Sequence, residues 1–333
     1  MRLNLKFSII IPVHNAQGTL KSCLGSISSS ENRDFEVVVV DDKSTDKSVE
    51  IAKDYPCRII TLNQNKGTAF SRNTGRDNAK GEILVFIDAD VVIKKDTLNI
   101  IDASFKKNED IVAVTGLLSK ECPYNDFFTR YKNLYMHYIF RQCPRFVDFL
   151  FGSIIAINKD DFLSFNESFR ATDDTELGQR YKELNKKILL NQELEVIHLK
   201  KYNFKEIIEN DFFVPFWWTK SFILHKGYRD IFKKRRFSHA RANQLLSILV
   251  VYLIVLSLLI VCQQQIWSIR FGLLIIFLIL NYGFFRFLYK EKGLLFLIGS
   301  VVFTFLDSLI MGLGAITGFF RYLILRRKDK TEK

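Results

Sequence analysis

The sequence predicts an α/β domain with a Rossmann-like, mostly parallel sheet, followed by an α-helical membrane region. Short β-branched runs alternate with amphipathic segments from residue 6 to about residue 115, the pattern of βαβ units. Acidic residues stand at the carboxyl ends of those runs, where a parallel sheet binds ligands. Beyond residue 243 the chain is apolar over stretches long enough to cross a hydrocarbon core of about 30 Å.

Strands are expected over residues 7–13, 35–41, 58–62, 83–87 and 111–115. Helices are expected over 19–28, 45–55, 68–79 and 96–107, with Ser44 or Thr45 capping the second ahead of Asp46. Residues 116–198 are less regular: the aromatic stretch 124–151 reads as a helix followed by an excursion over the sheet, and 194–199 as a strand. Residues 204–241 are rich in aromatic and basic side chains, and Trp217 and Trp218 suit a helix in the membrane interface. A first span is expected over 244–262 and a second over 266–289, with Arg270 and Arg286 snorkelling near its ends. The segment 294–325 would be about 48 Å long as one straight helix, which overshoots a bilayer. Asp307 and the glycines after Ile298 predict a break there, leaving a tilted span or a re-entrant hairpin. Arg321, Arg326, Arg327 and Lys328 favour the cytosolic side and lean towards an even number of crossings. The boundaries follow as 1–203 for the α/β domain, 204–241 for an interfacial segment, 242–326 for the membrane region and 327–333 for a basic tail.

A chain of 333 residues with 48% hydrophobic content has room for more than one structural unit. The excess of 48 Lys and Arg over 36 Asp and Glu gives a net charge of +12, but the densest basic run, residues 226–241, abuts the apolar segments. That position points to anionic lipid rather than nucleic acid. Cys23, Cys57, Cys122, Cys143 and Cys262 form no CxxC pair and are odd in number, which argues for reduced thiols. The amino-terminal apolar run is too short for a signal-peptide core, so the front of the chain is expected in the cytosol.

Four segments carry candidate chemistry. In FEVVVVDDKSTD a buried strand ends on Asp41 and Asp42, which can accept from a base or a ribose hydroxyl, or else simply cap the turn. In NQNKGTAFSRNTG, Gly67 permits a tight turn ahead of a helix whose amino end can face an anion, with Arg72 and Asn73 one turn inside. In EILVFIDADVVI, Asp88 and Asp90 alternate about Ala89 and can face one hard divalent cation, Mg²⁺ or Mn²⁺. In TDDTELGQRY, Asp173, Asp174 and Glu176 open a helix, either as dipole partners or with one of them as a general base.

The ordered set SIIIPVHN, VVVDDKSTD, NKGTAFSRNTG, DAD and DDTELGQR resembles the family 2 glycosyltransferases over roughly residues 7–198. The resemblance implies a GT-A fold and an inverting transfer from a UDP-, GDP- or dTDP-sugar. It implies that Pro12 and Asn15 frame the nucleotide pocket, that Asp42 contacts the base and that Arg72 stands near the phosphates. It further implies that Asp88 and Asp90 serve metal and ribose and that Asp174 is the base. The family usually has Glu-Asp where this chain has Asp173-Asp174. Gly152 and Ser153 match the family's acceptor loop, and His198 falls where relatives carry a histidine near the site, as a metal or phosphate ligand or in a structural place.

No QxxRW motif follows the base segment, which favours single transfer over processive synthesis. The expected acceptor is a lipid, a lipid-linked glycan or another membrane-delivered group, with a polyprenyl-phosphate glycosyltransferase or a polysaccharide synthase as alternatives. From other classes, a nucleotidyltransferase would need a glycine-rich basic loop after the first strand, which IIIPVHNAQGT lacks. An inactive membrane scaffold would be expected to have lost its carboxylates.

Overall fold

The computed structural model describes residues 5–169, 171–259 and 265–331. The chain divides into two compact units, the first comprising Met1–Asn125 and Ile139–Lys201, the second Asp126–Tyr138 and Tyr202–Lys333.

The first unit is a nine-stranded mixed sheet with helices between its strands. Strands β1 (Phe7–Val13), β2 (Phe35–Asp41), β3 (Arg58–Thr61) and β4 (Ile83–Ile87) pair in parallel in the order β3-β2-β1-β4. The near-continuous Val and Ile runs of β1, β2 and β4 are largely buried, as in a sheet covered on both faces, whereas β3 is a partly exposed edge. The β1–β4 ladder ends at Ile10, two residues before Pro12, whose missing N–H suits a strand end. The short β5 (Val91–Val92) follows β4, and β6 (Ile111–Leu118), β7 (Phe146–Val147), β8 (Ile154–Asn158) and β9 (Lys187–His198) complete the sheet. Strand β8 runs antiparallel between β4 and β6, and β9 runs parallel to β6.

Helices α1 (Leu20–Ser28), α2 (Ser48–Lys53), α3 (Thr68–Asp77) and α4 (Thr97–Lys107) connect the early strands, and α6 (Asp173–Glu183) follows α5 (Phe127–Arg141). Helix α2 starts at Ser48 rather than at residue 45, because Asp46 Oδ1 accepts both the N–H and the hydroxyl of Ser48 while Ser44 and Thr45 bond Asn15. Two glycines set how close the helices come. A Cβ on Gly75 would lie 2.3 Å from Ile10 Cγ2, and one on Gly178 would lie 2.3 Å from Phe149 Cα. These contacts seat α3 on β1 and α6 on the Phe149 backbone, and so place Arg72 and the Asp173-Asp174 pair. Cys23, Cys57, Cys122 and Cys143 are free thiols, and Cys262 lies outside the described residues.

The second unit is helical. Residues 127–138 of α5 pack with α7 (Phe204–Leu224), α9 (Ala242–Leu258) and α10 (Gln265–Thr331) around an aromatic core that includes Tyr131, Phe277, Phe284 and Phe303. Between α7 and α9 lie α8 (Gly227–Lys234) and a two-stranded ribbon of β10 (Arg236–Phe237) and β11 (Ala240–Arg241). Trp218 packs on Phe222 and Phe237. Buried polar contacts pin the helices: Lys132 pairs with Asp211, Tyr131 with Thr304, and Gln244 donates to the Tyr135 hydroxyl.

Among the described residues one helix, α10, is long and apolar enough to cross a membrane, whereas α9 is shorter, and part of the expected 244–262 span lies outside the described residues. The break expected near Asp307 is absent. It falls instead at Gly293, where φ 81° and ψ −174° interrupt the helix in a conformation that glycine tolerates. The later glycines serve close packing: Cβ atoms on Gly314 and Gly318 would lie 2.1 and 2.4 Å from the Phe212 and Phe216 carbonyl oxygens of α7. Much of the remaining α10 surface is exposed and apolar, including Trp267, Ile279, Leu295 and Val302.

Candidate active site

The ends of β1 and β2 interlock through two left-handed residues, Asn15 (φ 50°) and Lys43 (φ 60°). Asn15 donates its N–H to Ser44 Oγ at 3.0 Å, and its Oδ1 accepts the Thr45 N–H at 2.8 Å. Asp41, buried, accepts the Ser44 N–H at 3.1 Å. Asp42, also buried, accepts the backbone N–H groups of Lys66 and Gly67, each at 2.7 Å, and its carbonyl meets His14 Nδ1 at 2.9 Å. Gly67, at φ 89°, is the residue before α3, so Asp42 fastens the helix entry to the end of β2. Pro12 and Asn15 thus border the same loop cluster as Asp41, Asp42 and Gly67.

Arg72 is the centre of the site. Its side chain is 4% exposed, Nη1 donates to Asp173 Oδ2 and Nη2 to Asp88 Oδ1, each at 2.8 Å, and Nη2 also reaches the Gly152 carbonyl at 3.3 Å. One guanidinium therefore ties the end of β4 to the start of α6, a geometry that its fixed fork of donors permits and a lysine would not. Burial alone would lower the Arg72 pKa, but Asp173, Asp88 and Asp174 raise it.

Asp174 is held differently. Its Oδ2 accepts the Gly152 N–H at 2.7 Å and its Oδ1 its neighbour Thr175 N–H at 2.6 Å. Burial and then the charge of Asp173 push its carboxyl up to about 6, against the pull of Arg72 and the two N–H groups. The preceding Thr172 adopts a left-handed φ of 68°, a strained conformation for a β-branched residue, of the kind that clusters at functional sites. Glu176 is buried and paired with Arg180, which leaves the two aspartates as the carboxylates at this helix opening.

Gly152 sits among all three groups. A Cβ there would be 2.8 Å from Arg72 Nη2, 3.3 Å from Asp174 Oδ2 and 3.5 Å from Asp88 Oδ2. Gly152→Ala should therefore displace the guanidinium and lower turnover by about 10²-fold, the scale of a misplacement near 1 Å. Steady-state kinetics at unchanged thermal stability checks this; wild-type turnover in the alanine variant would show that the contact does not matter. Ser153, next in the loop, is buried.

Asp88 and Asp90 keep 31% and 30% of their side-chain surface exposed. Asp90 Oδ2 lies 3.3 Å from His198 Nε2, because β5 pairs with the end of β9 and sets Val91 opposite His198. For Asp88, burial raises the pKa and Asp90 adds to it, while Arg72 opposes. For Asp90, the upward effect of burial is outweighed by His198 and Lys200, and its carboxyl is held low. Among the described residues no three His, Cys, Asp or Glu side chains are already gathered for a metal. Two partly open carboxylates beside an imidazole nonetheless suit a hard cation that takes its remaining ligands from water and phosphate oxygens.

The structure thus brings Arg72, Asp88, Gly152, Asp173 and Asp174 together and joins Asp90 to His198. Asn73 is used otherwise: its amide donates to the Phe165 carbonyl and to Glu167, and its Oδ1 accepts the Phe165 N–H at 2.8 Å, so it clamps the 165–167 turn on α3. Lys200 and His14 had no separate signal in the sequence. The first acts on Asp90 from just beyond the strand that ends on His198, and the second bonds the Asp42 backbone.

Residues 8–164 match the family described as Glycosyl transferase family 2. Over 100 residues the chain is 39% identical to the glycosyltransferase GlyA of Streptococcus pneumoniae, covering 29% of this chain and 14% of that protein. Over 101 residues it is 36% identical to the poly(ribitol-phosphate) beta-N-acetylglucosaminyltransferase TarS of Staphylococcus aureus, covering 28% of this chain and 18% of that protein. The matched segments span 14% and 33% of the first two curated relatives' own lengths. Among solved structures, the mannosyltransferase PcManGT of Pyrobaculum calidifontis, in complex with GDP-Man and Mn²⁺, aligns with a TM-score of 0.58 at 13% identity, over 95% of this chain and 87% of that one. At that identity the likeness is one of fold. The sheet-bearing unit, built round the Asp88–Arg72–Asp173 bridge, has a GT-A fold and carries most of the segment that matches Glycosyl transferase family 2.

Proposed function

We propose that this domain transfers a single sugar from a nucleotide-sugar donor to a lipid, lipid-linked glycan or other membrane-delivered acceptor, with inversion at the anomeric carbon. The observation that carries the reading is the shared loop at Gly152, which meets Arg72, Asp88 and Asp174 and so sets a candidate base beside candidate phosphate and metal groups. A sugar-nucleotide diphosphate would lie at the strand ends, near Arg72. Mg²⁺ or Mn²⁺ at Asp90 and Asp88, with His198 adjoining, would neutralise charge on the departing nucleotide. The Mn²⁺ and GDP-Man in the mannosyltransferase neighbour support that assignment.

The chain's own residues do the remaining work. Asp173 is neutralised by Arg72, so Asp174 is the carboxylate left to take the proton of the acceptor hydroxyl, and a pKa of about 6 leaves it ionised at neutral pH yet basic enough to act. Asp42 keeps the nucleotide-side loops closed through Lys66 and Gly67. The apolar α10 supports a membrane anchor, and its break at Gly293 leaves two stretches, each longer than the ~20 residues a span needs. The sheet-bearing unit and the basic 226–241 run would then face the cytosol and its anionic lipid.

The metal assignment is tested by donor binding. Full-length protein treated with EDTA should bind UDP-, GDP- or dTDP-sugars more weakly than the Mg²⁺- or Mn²⁺-loaded form, and Asp90→Asn should abolish turnover. Equal binding and turnover by the metal-free protein would overturn it.

A further inference from the structure

A second cleft, of about 550 Å³, opens in the sheet-bearing unit between α4 and the first half of β9 and shares no residue with the site above. That volume falls within the about 300–1,000 Å³ of small-molecule pockets. The cleft exists because β9 bulges. Pairing steps from Thr115↔Leu190 to Leu117↔Glu195, so Asn191, Gln192, Glu193 and Leu194 leave the ladder. Gly116 faces that bulge: a Cβ there would lie 2.2 Å from the Leu194 carbonyl oxygen, so the absence of a side chain lets β9 close in. Bulges redirect side chains, and this one presents two amides and a carboxylate to the cleft.

The lining has three chemical parts. Ile100, Leu189 and Leu190 supply an apolar surface, and Leu189 and Leu190 are themselves buried. Asn191 and Asn108 are fixed as polar rims, the first donating to Ser104 Oγ at 2.9 Å and the second to the Ser104 carbonyl at 2.8 Å. Lys107 and Arg145 set two cations against the single carboxylate of Glu193. Arg145 is oriented by Asn108 Oδ1 at 2.7 Å, and among the described residues its guanidinium donates to nothing else, while Lys107 makes no ion pair. Fixed amides suit hydroxyl groups, an apolar face suits the C–H face of a sugar ring, and the uncompensated cations suit a phosphate.

We propose that this cleft binds a phosphate-bearing sugar unit, holding a segment of the acceptor away from the reacting centre. The acceptor role rests on the transfer reading above, but the binding chemistry does not.

Calorimetry on the full chain in detergent, with glucose 6-phosphate, glucose and inorganic phosphate as probes, tests it. Glucose 6-phosphate should bind saturably and about tenfold or more tighter than either fragment. The double variant Lys107→Ala/Arg145→Ala should lose about tenfold or more of that affinity while nucleotide release in the absence of acceptor is unchanged. Asp174→Asn should bind glucose 6-phosphate as the wild type does. No saturable binding, binding undiminished in the double variant, or binding lost in Asp174→Asn would each overturn the site. Loss of nucleotide release from the wild type, with glucose 6-phosphate still bound through Lys107 and Arg145, would remove the transfer reading and leave the sugar-phosphate site standing.

Discussion

Asp174→Asn should lower kcat by about 10²–10⁴-fold while donor affinity changes little, the loss expected when a general base is removed. The residue sits against the Gly152 loop, and its two oxygens are oriented by the Gly152 and Thr175 N–H groups. Its carboxyl, raised from the ordinary aspartate range to about 6, must be ionised to act. Activity of the wild type should therefore rise with pH through about 6, tenfold per unit on the acid limb, and flatten above it. The same raised value means that the fold favours the protonated form. Its stabilising contribution is complete below the unfolded value of 3.8 and is lost as pH rises through about 6. Asp173→Asn should lose less than Asp174→Asn, because Asp173 is already committed to Arg72. A larger loss at Asp173, or an unchanged kcat at Asp174, would assign the base elsewhere.

Arg72→Ala should destabilise the domain by about 3–5 kcal/mol, since it strands Asp173 and leaves Asp88 unpaired beside Asp90. For a domain of this size that is a fall in Tm of roughly ten degrees or more. Activity should be lost as well, because the bridge between the β4 end and the α6 start disappears. Adding Asp173→Asn should return part of the stability and none of the activity, a coupling that a double-mutant cycle reads directly. Unaltered melting of Arg72→Ala would show that the bridge is not what seats α6.

The elements that sequence placed to the residue, β1, β2 and β4, are continuous Val and Ile runs with both faces covered, a pattern that tertiary context cannot easily override. Helix α2 was placed three residues early because its start is set by the Asp46 side chain and by Asn15 from another strand end, a non-local contact. The first half of β9 was missed because residues 187–190 pair with β6 and β7 and the strand then bulges, which breaks alternation. In the second unit, a break was expected at Asp307 because charge and glycine usually interrupt an apolar helix. The α7 carbonyls instead need those glycines for contact, and Gly293 turns the chain.

Within the site, the strand-end carboxylates Asp42, Asp88 and Asp90 and the helix-opening pair Asp173 and Asp174 were legible from pattern. What pattern cannot contain is the pairing. Arg72 joins Asp88 to Asp173 across a sequence separation that no local rule spans, and His198 meets Asp90 only because β5 and β9 pair. Asn73 was grouped with Arg72 by adjacency, although its amide serves the Phe165 turn.

The most direct measurement is a donor screen by nucleotide release and product NMR, with UDP-, GDP- and dTDP-sugars and Mn²⁺ or Mg²⁺, on the wild type and on Asp174→Asn in nanodiscs. At least one α-linked donor should be turned over by the wild type with release of its nucleotide diphosphate and formation of a β-linked product, and Asp174→Asn should be slower by about 10²-fold or more. Failure of every donor, an α-linked product from an α-linked donor, or equal rates for the two proteins would contradict the account.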